Sequence, residues 1–97
     1  MIFNQIQKTS NLIKFPDYNK IEDISISAKE SLTYTATKPV WIMFTGLGNS
    51  GIETVDGTTM ASGDDWSVLL PLYTGQTLTF KSYDSYDGAR VRVYGTL

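Results

Sequence analysis

The sequence predicts an all-β protein, a jelly-roll-like antiparallel sandwich of about eight short strands. Two observations lead to this fold class. Apolar residues alternate with serines and threonines from residue 21 onward, as in a strand with one buried face. Turn-forming glycine, proline and aspartate recur every 8–12 residues or so, which is typical of short strands joined by tight turns. No helical repeat competes with this pattern.

The 97 residues are enough for one domain with one modest core. Residues 1–20 are irregular and are predicted to form an N-terminal arm, with a turn at Pro16-Asp17-Tyr18-Asn19. Residues 21–97 are predicted to form the β-sandwich domain. Two roles for the arm stay open: it packs on its own domain, or it reaches a neighbouring subunit.

The most apolar stretch runs from Pro39 to Gly46 and is predicted to be the central strand. Side chains alternate across a strand, so if Val40, Ile42 and Phe44 face the core, Trp41 and Met43 face the other way. A strand with two apolar faces needs a cover on its second face. Another layer of the same chain or a second subunit would supply it.

The rest of the chain supplies the other strands. They alternate with a glycine-rich segment at 46–51, predicted to be a loop, a hairpin turn at Asp56-Gly57 and a turn at 62–65. The predicted strands are 24–26, 32–36, 40–44, 52–55, 58–61, 66–70, 77–80 and 89–94. Residues 83–88 form a polar, aromatic loop before the last of them.

Composition excludes several classes of function. The net charge of −2 and the scattered lysines and arginines give no basic field, so binding to nucleic acid or to a membrane surface is not expected. The chain has no cysteine and no histidine, which removes thiolate ligands and the commonest general base. We therefore expect a protein that is not an enzyme and that holds no metal and no cofactor.

Three features that could suggest a binding or catalytic site have simpler interpretations. Asp84-Ser85-Tyr86-Asp87-Gly88 has acidic residues beside a glycine but lacks the spacing of a calcium loop, so turn chemistry is favoured. Gly46, Gly48 and Gly51 match a G-x-G-x-x-G spacing, but no helix follows and no βαβ unit surrounds them. Strand-borne carboxylates do not form the facing pair that a glycosidase needs.

Aromatic residues give the main candidates for binding. Tyrosine and tryptophan offer rigid, amphipathic area for stacking on a sugar or contacting a protein, although tyrosines also simply cover strand edges. The candidate ligand- or partner-binding residues are Tyr73, Tyr83, Tyr86, Tyr94, Asp84 and Asp87. The candidate oligomer-interface residues are Trp41, Met43 and Trp66.

From Leu32 onward, six short motifs carry a resemblance. They are Leu32-Thr33-Tyr34-Thr35-Ala36, Val40-Trp41-Ile42, Val55-Asp56-Gly57, Leu69-Leu70-Pro71-Leu72, Gly75-Gln76-Thr77-Leu78-Thr79 and Ala89-Arg90-Val91-Arg92-Val93-Tyr94. Together they resemble the small β domains, C-terminal or free-standing, found with phage tail-fibre and virion-appendage proteins of Gram-positive gut bacteria. The resemblance implies a β-sandwich that often trimerises. The sequence departs from this family at Thr74, where the family usually has a basic residue.

The expected function is therefore a non-enzymatic virion or tail-appendage domain. It would assemble as a homo-oligomer, with a trimer favoured, and bind a host-surface glycan or a neighbouring virion protein. The N-terminus lacks the features of a secretory signal, so we expect synthesis in the host cytoplasm and a place in the virion. Two alternatives stay open: a small inhibitor or accessory protein that binds a host protein, and a stand-alone carbohydrate-binding module.

Overall fold

The computed structural model describes residues 14–97, which form one antiparallel sheet that curls on itself. Its order is β1-β6-β3-β5-β2, with β4 paired to β3 outside this path. The all-β prediction is confirmed, and the described residues contain no helix. The strands are β1 (Pro16–Ile26), β2 (Ser31–Thr35), β3 (Val40–Glu53), β4 (Thr59–Leu72), β5 (Thr77–Ser82) and β6 (Ala89–Thr96).

Strand β3 organises the sheet because it pairs with three other strands. Along one edge, β3 pairs with the antiparallel strand β4 over its whole length, from Val40 opposite Leu72 to Glu53 opposite Thr59. Its other edge is shared: residues 41–46 pair with β6, and residues 50–53 pair with β5. The curled sheet therefore has two half-sheets, each holding one half of β3. The first adds β1, β6 and the end of β4; the second adds β2, β5 and the start of β4.

The bend between the half-sheets lies at residues 46–50 of β3, where the inward positions carry almost no side chain. Gly46, Gly48 and Ser50 occupy the inner face there, and all three are buried. A β-carbon on Gly46 would lie 1.7 Å from Ser50 Oγ and 2.8 Å from Ser50 Cβ, closer than real contacts allow. The register with β4 also shifts here, because β3 holds an extra residue between Gly46 and Asn49. These small residues let the strand fold over sharply.

Folding the sheet over brings the two inner faces together as the core. Phe44 of the first half-sheet stacks on Phe80 of the second, with ring centroids 5.3 Å apart. Trp66 meets the Phe44 ring edge-to-face, with ring centroids 5.4 Å apart. Val40, Ile42 and Phe44 face inward as predicted. The buried apolar cluster comprises Ile26, Ala36, Val40, Ile42, Phe44, Ile52, Leu72, Leu78, Phe80, Ala89, Val91 and Val93.

The sequence prediction of about eight strands is wrong, since the described residues form six. The predicted strands 40–44 and 52–55 overlap the two ends of β3, which stops at Glu53, and 58–61 and 66–70 overlap β4, which begins at Thr59. The segments at 46–51 and 62–65, predicted to be a loop and a turn, lie inside these long strands. Glycine and aspartate mark a bend in a continuous strand here, with Asp65 in the left-handed region at φ 50°.

The predicted hairpin turn at Asp56-Gly57 is confirmed, because it joins β3 to β4. Gly57 adopts φ 90°, which favours glycine, and the Thr54 amide donates to the Thr58 carbonyl at 2.9 Å. The predicted turn at 16–19 is instead the start of β1, which pairs with β6 across a register irregularity. Asn19 does bond locally, to the Asp17 carboxylate. The remainder of the predicted arm, residues 1–13, lies outside the described residues.

Replacing Gly46 by alanine tests the bend. We expect Gly46→Ala to lower the free energy of unfolding by about 1–3 kcal/mol, the usual cost of overpacking a well-filled interior. Urea denaturation followed by tryptophan fluorescence measures this change. Gly95→Ala is the matched control, because a β-carbon there meets only Ile21 Cδ1 at 3.5 Å, an ordinary contact. Equal denaturation midpoints for the two variants would contradict the role assigned to Gly46.

Candidate interaction surfaces

The outer face of the first half-sheet carries a patch of apolar side chains. Residues directly opposite each other in a sheet point to the same side, so Trp41 stands between Pro71 and Tyr94. Met43 stands beside Leu69 in the next row. We call Trp41, Met43, Leu69 and Pro71 the apolar patch. The patch confirms that the first half of β3 is apolar on both faces. The outward side chains of Trp41 and Met43 are partly exposed.

Charged side chains lie beside the patch on the same outer face, on β6 and β1. Arg90 donates to the Asp23 carboxylate through Nε at 2.7 Å and also through Nη2, and Lys20 joins at 3.0 Å. The Arg90 bonds and then the Lys20 bond hold the pKa of Asp23 far below its usual range. Arg92 lies opposite Met43 and donates from Nη2 to Thr45 Oγ1 at 3.3 Å. Within residues 14–97 its buried Nε has no hydrogen-bond acceptor.

The start of β1 covers part of this outer face. Trp41 donates its indole Nε1–H to the Lys14 carbonyl at 2.7 Å, so the indole nitrogen is satisfied within the chain. The ring of Tyr18 meets Tyr94 edge-to-face at 5.8 Å. Tyr94 is consequently only 9% exposed, although its position in the sheet points outward as predicted. Tyr94 is therefore a packing residue of this face.

The second half-sheet presents a different outer face, made of hydroxyl groups. Thr33 and Thr79 share a hydrogen bond at 3.0 Å across β2 and β5, and Thr35 and Thr77 share one at 2.7 Å. Such paired threonines stabilise neighbouring strands and leave a polar surface toward water. The outer faces of the two half-sheets thus differ in kind, and only the first carries the apolar patch.

The loop at residues 83–88 holds four of the predicted binding residues. The Asp84 carboxylate accepts hydrogen bonds from the amides of Tyr86, at 2.8 Å, and Asp87, at 2.6 Å. These bonds lower the pKa of Asp84. The Tyr86 ring is 92% exposed and projects from the loop. Asp84 therefore holds the loop in shape, and Tyr86 is its freely accessible aromatic group.

Tyr83 belongs to a polar cluster that the sequence did not indicate. Its hydroxyl donates to Glu53 at 2.6 Å, and Lys81 pairs with the same carboxylate at 3.2 Å. The Tyr83 ring lies over Gly51, where a β-carbon would come within 2.9 Å of Cε2. Burial and then the bond to Glu53 raise the pKa of Tyr83 to about 12, while Tyr83 and Lys81 lower the pKa of Glu53.

The nine predicted site residues do not share one surface. Tyr83, Asp84, Tyr86 and Asp87 lie together in one loop beside the bend of β3, as the Tyr83 amide bond to the Asn49 carbonyl shows. Tyr73 lies in the turn from β4 to β5, at the opposite end of the curled sheet. Trp66 lies on the inner face, where its Nε1–H donates to the Ser50 carbonyl at 3.3 Å. The outward-facing interface candidates are Trp41 and Met43.

Two structural features are absent from residues 14–97. No group of three or more carboxylate, histidine or cysteine side chains in this range comes together as a metal ligand set. This part of the chain also has no helix long and apolar enough to cross a bilayer.

Acid should destabilise the protein through the carboxylates whose pKa is lowered in the folded state. They are Asp23, Glu53, Asp56 and Asp84. Their stabilisation is fully present above the pKa of the unfolded chain, about 4, and is lost as pH falls through the folded values. The melting temperature, measured by circular dichroism from pH 7 to pH 2, should therefore fall below about pH 4.

Asp84→Asn should reduce this acid dependence, because its amide does not titrate and still accepts hydrogen bonds from the loop. Asp64→Asn is the matched control, since it makes the same substitution at an exposed aspartate outside this loop. Between pH 5 and pH 2, the melting temperature of the Asp84→Asn variant should fall less than that of the Asp64→Asn control. An identical pH dependence in both variants would exclude a role for Asp84 in acid stability.

Tyr83 should be a late-titrating phenol. A spectrophotometric titration at alkaline pH should find a tyrosine that ionises near pH 12, and Tyr83→Phe should remove it. Glu53→Gln should shift this step to lower pH, because it removes the negative charge that opposes the phenolate. A titration unchanged in both variants would mean that the Tyr83–Glu53 bond does not form in solution.

Comparison with known proteins leaves the family of this chain open. No protein-family model matches it, and no curated protein matches it either. The resemblance to phage appendage domains therefore remains a prediction from the sequence motifs. Function has to be argued from the surfaces described above.

Proposed function

We propose that this chain is a non-enzymatic β domain of the phage virion or tail-appendage type, which assembles into a homotrimer through the outer face of its first half-sheet. The observation that carries the proposal is the apolar patch of Trp41, Met43, Leu69 and Pro71. The motif resemblance supports the trimeric stoichiometry and the place in the virion. The fold is compatible with both.

The composition of this outer face supports an interface. Protein interfaces combine an apolar, aromatic centre with a polar rim, and arginine is enriched in them. Here the apolar patch adjoins the charged rows of Asp23, Arg90 and Arg92. Copies related by rotation would bury the patch between them, as closed oligomers do.

The loop at 83–88 supports the second part of the proposal, contact with a host-surface glycan or a neighbouring virion protein. Tyr86 is 92% exposed and is held by a loop whose shape depends on the Asp84 carboxylate. A tyrosine ring on a fixed loop can stack on the face of a sugar ring at small entropic cost. Asp87 adds a carboxylate beside it that can accept hydrogen bonds from sugar hydroxyls.

Light scattering with multi-angle detection tests assembly. We expect the wild-type chain to have a mass three times the 10.8 kDa of one chain over a wide concentration range. Met43→Lys should give a monomer, because a charge in the centre of the patch would be buried without a partner. Thr33→Lys, on the hydroxyl-lined outer face, is the matched control and should remain trimeric.

A folded wild-type monomer at high micromolar concentration would overturn the proposed assembly. It would favour the alternative of a small inhibitor or accessory protein, which pull-down from host lysate would then address. A trimer that persists in Met43→Lys would instead place the interface on another surface.

Replacing the exposed loop tyrosine tests glycan contact. Tyr86→Ala should abolish binding to purified cell-wall glycans of the host without changing the melting temperature, since the ring makes almost no contact within the chain. Tyr73→Ala, in the turn at the other end of the sheet, is the control and should bind as wild type. Glycan binding that survives Tyr86→Ala would rule out the proposed role of this loop.

A further inference from the structure

A cleft of about 450 Å³ lies at the end of the curled sheet remote from the bend. The two ends of β4 face each other across it, with Met60 on one side and Leu70 and Leu72 on the other. The strands β3 and β4 pass from one half-sheet to the other at the bend, so the half-sheets can part at the far end, where the β3–β4 hairpin lies. The tip of that hairpin, with Val55, forms part of its wall.

The walls of the cleft are apolar and uncharged. None of the nine residues that line it has an ionisable side chain. Leu72 and Leu78 form a buried floor, at 4% and 7% exposure. Thr54, Gln76 and Thr77 add neutral polar groups to the lining. A charged occupant would lose its hydration here without gaining an ion pair, whereas an apolar one would lose only its contact with water.

The lip of the cleft consists of two large apolar side chains that face water. Val55, in the hairpin turn, is 73% exposed, and Met60, at the start of β4, is 59% exposed. Methionine is unbranched and polarizable and adapts its shape to different occupants. The volume lies within the roughly 300–1,000 Å³ of small-molecule sites, which are mostly apolar with a few polar groups.

We propose that this cleft binds a small, uncharged, largely hydrocarbon molecule. The cleft shares Pro71 with the apolar patch, whereas its other eight lining residues lie outside both the patch and the loop at 83–88. The ligand lies on the buried floor of Leu72 and Leu78 and is covered by Met60. The threonine hydroxyls and the Gln76 amide accommodate a single neutral polar group of the ligand. The site does not depend on assembly of the chain.

A matched pair of fluorescent probes tests the proposal. N-phenyl-1-naphthylamine is neutral, and 8-anilino-1-naphthalenesulfonate carries the same ring system with a negative charge. Both become brighter in apolar surroundings. We expect the neutral probe to bind saturably, with one site per chain, and the sulfonate to bind at least about tenfold more weakly. Equal affinities of the two probes would overturn the proposal, because an uncharged cleft must discriminate between them.

Two variants locate the bound probe. Met60→Glu places a charge at the lip, and Val55→Trp fills the entrance; both positions are exposed, so the variants should fold, as circular dichroism will verify. Each should weaken binding of the neutral probe by about tenfold or more. Leu47→Glu is the matched control, because Leu47 is similarly exposed, at 55%, but lies beside the bend. It should bind the probe as wild type does.

The Met43→Lys variant separates the cleft from the apolar patch. Its affinity for the neutral probe should equal that of the wild type, whatever its oligomeric state. Loss of binding in Met43→Lys with retention in Met60→Glu would place the probe on the patch and overturn the proposal. Binding that Met60→Glu and Val55→Trp leave unchanged would also overturn it. Failure of the neutral probe to bind would likewise overturn the proposal.

Discussion

The whole fold depends on the close approach that Gly46, Gly48 and Ser50 permit on the inner side of β3. Because these positions carry little or no side chain, one strand can belong to two half-sheets. The stacking of Phe44 on Phe80 follows directly, since these residues lie on opposite sides of the bend. The core is thus built from one strand folded against its own neighbours. A β-carbon at the bend would push apart the layers that form this core.

The same bend separates the outer surfaces by chemistry. The first half of β3 alternates apolar residues on both sides, whereas the outward positions of the second half-sheet are mostly hydroxyl groups. One outer face therefore suits burial against another protein surface, and the other suits water. The loop at 83–88 lies beside the bend, and the cleft lies at the far end of the sheet. The proposed assembly, glycan contact and apolar ligand binding therefore use three regions, of which the patch and the cleft meet at Pro71.

Local pattern predicts the inward and outward faces of the strands but not their continuity. The sequence predicts that Val40, Ile42 and Phe44 face the core and that Trp41 and Met43 face outward. This prediction needs only the two-residue alternation of side chains along a strand. The segments 46–51 and 62–65 are predicted to be a loop and a turn but lie inside strands. The reason is that the residues that form a turn are also those that permit a bend in a strand. The Tyr83–Glu53 bond and the cleft join residues far apart in the chain. No local pattern encodes such pairs.

The pairing of the first described strand with the last has a consequence for how the protein is made. Within residues 14–97, strand β1 is bonded in the sheet only through β6, and Asp23 meets Arg90 across 67 positions of the chain. On the ribosome, β1 must wait without a partner until residues 89–96 emerge, while the β3–β4 hairpin can close as soon as its own residues appear. Contacts this distant in sequence slow folding. Until β6 is available, the first half of β3 also lacks the partner on one of its edges, and its apolar side chains are then open to capture by chaperones.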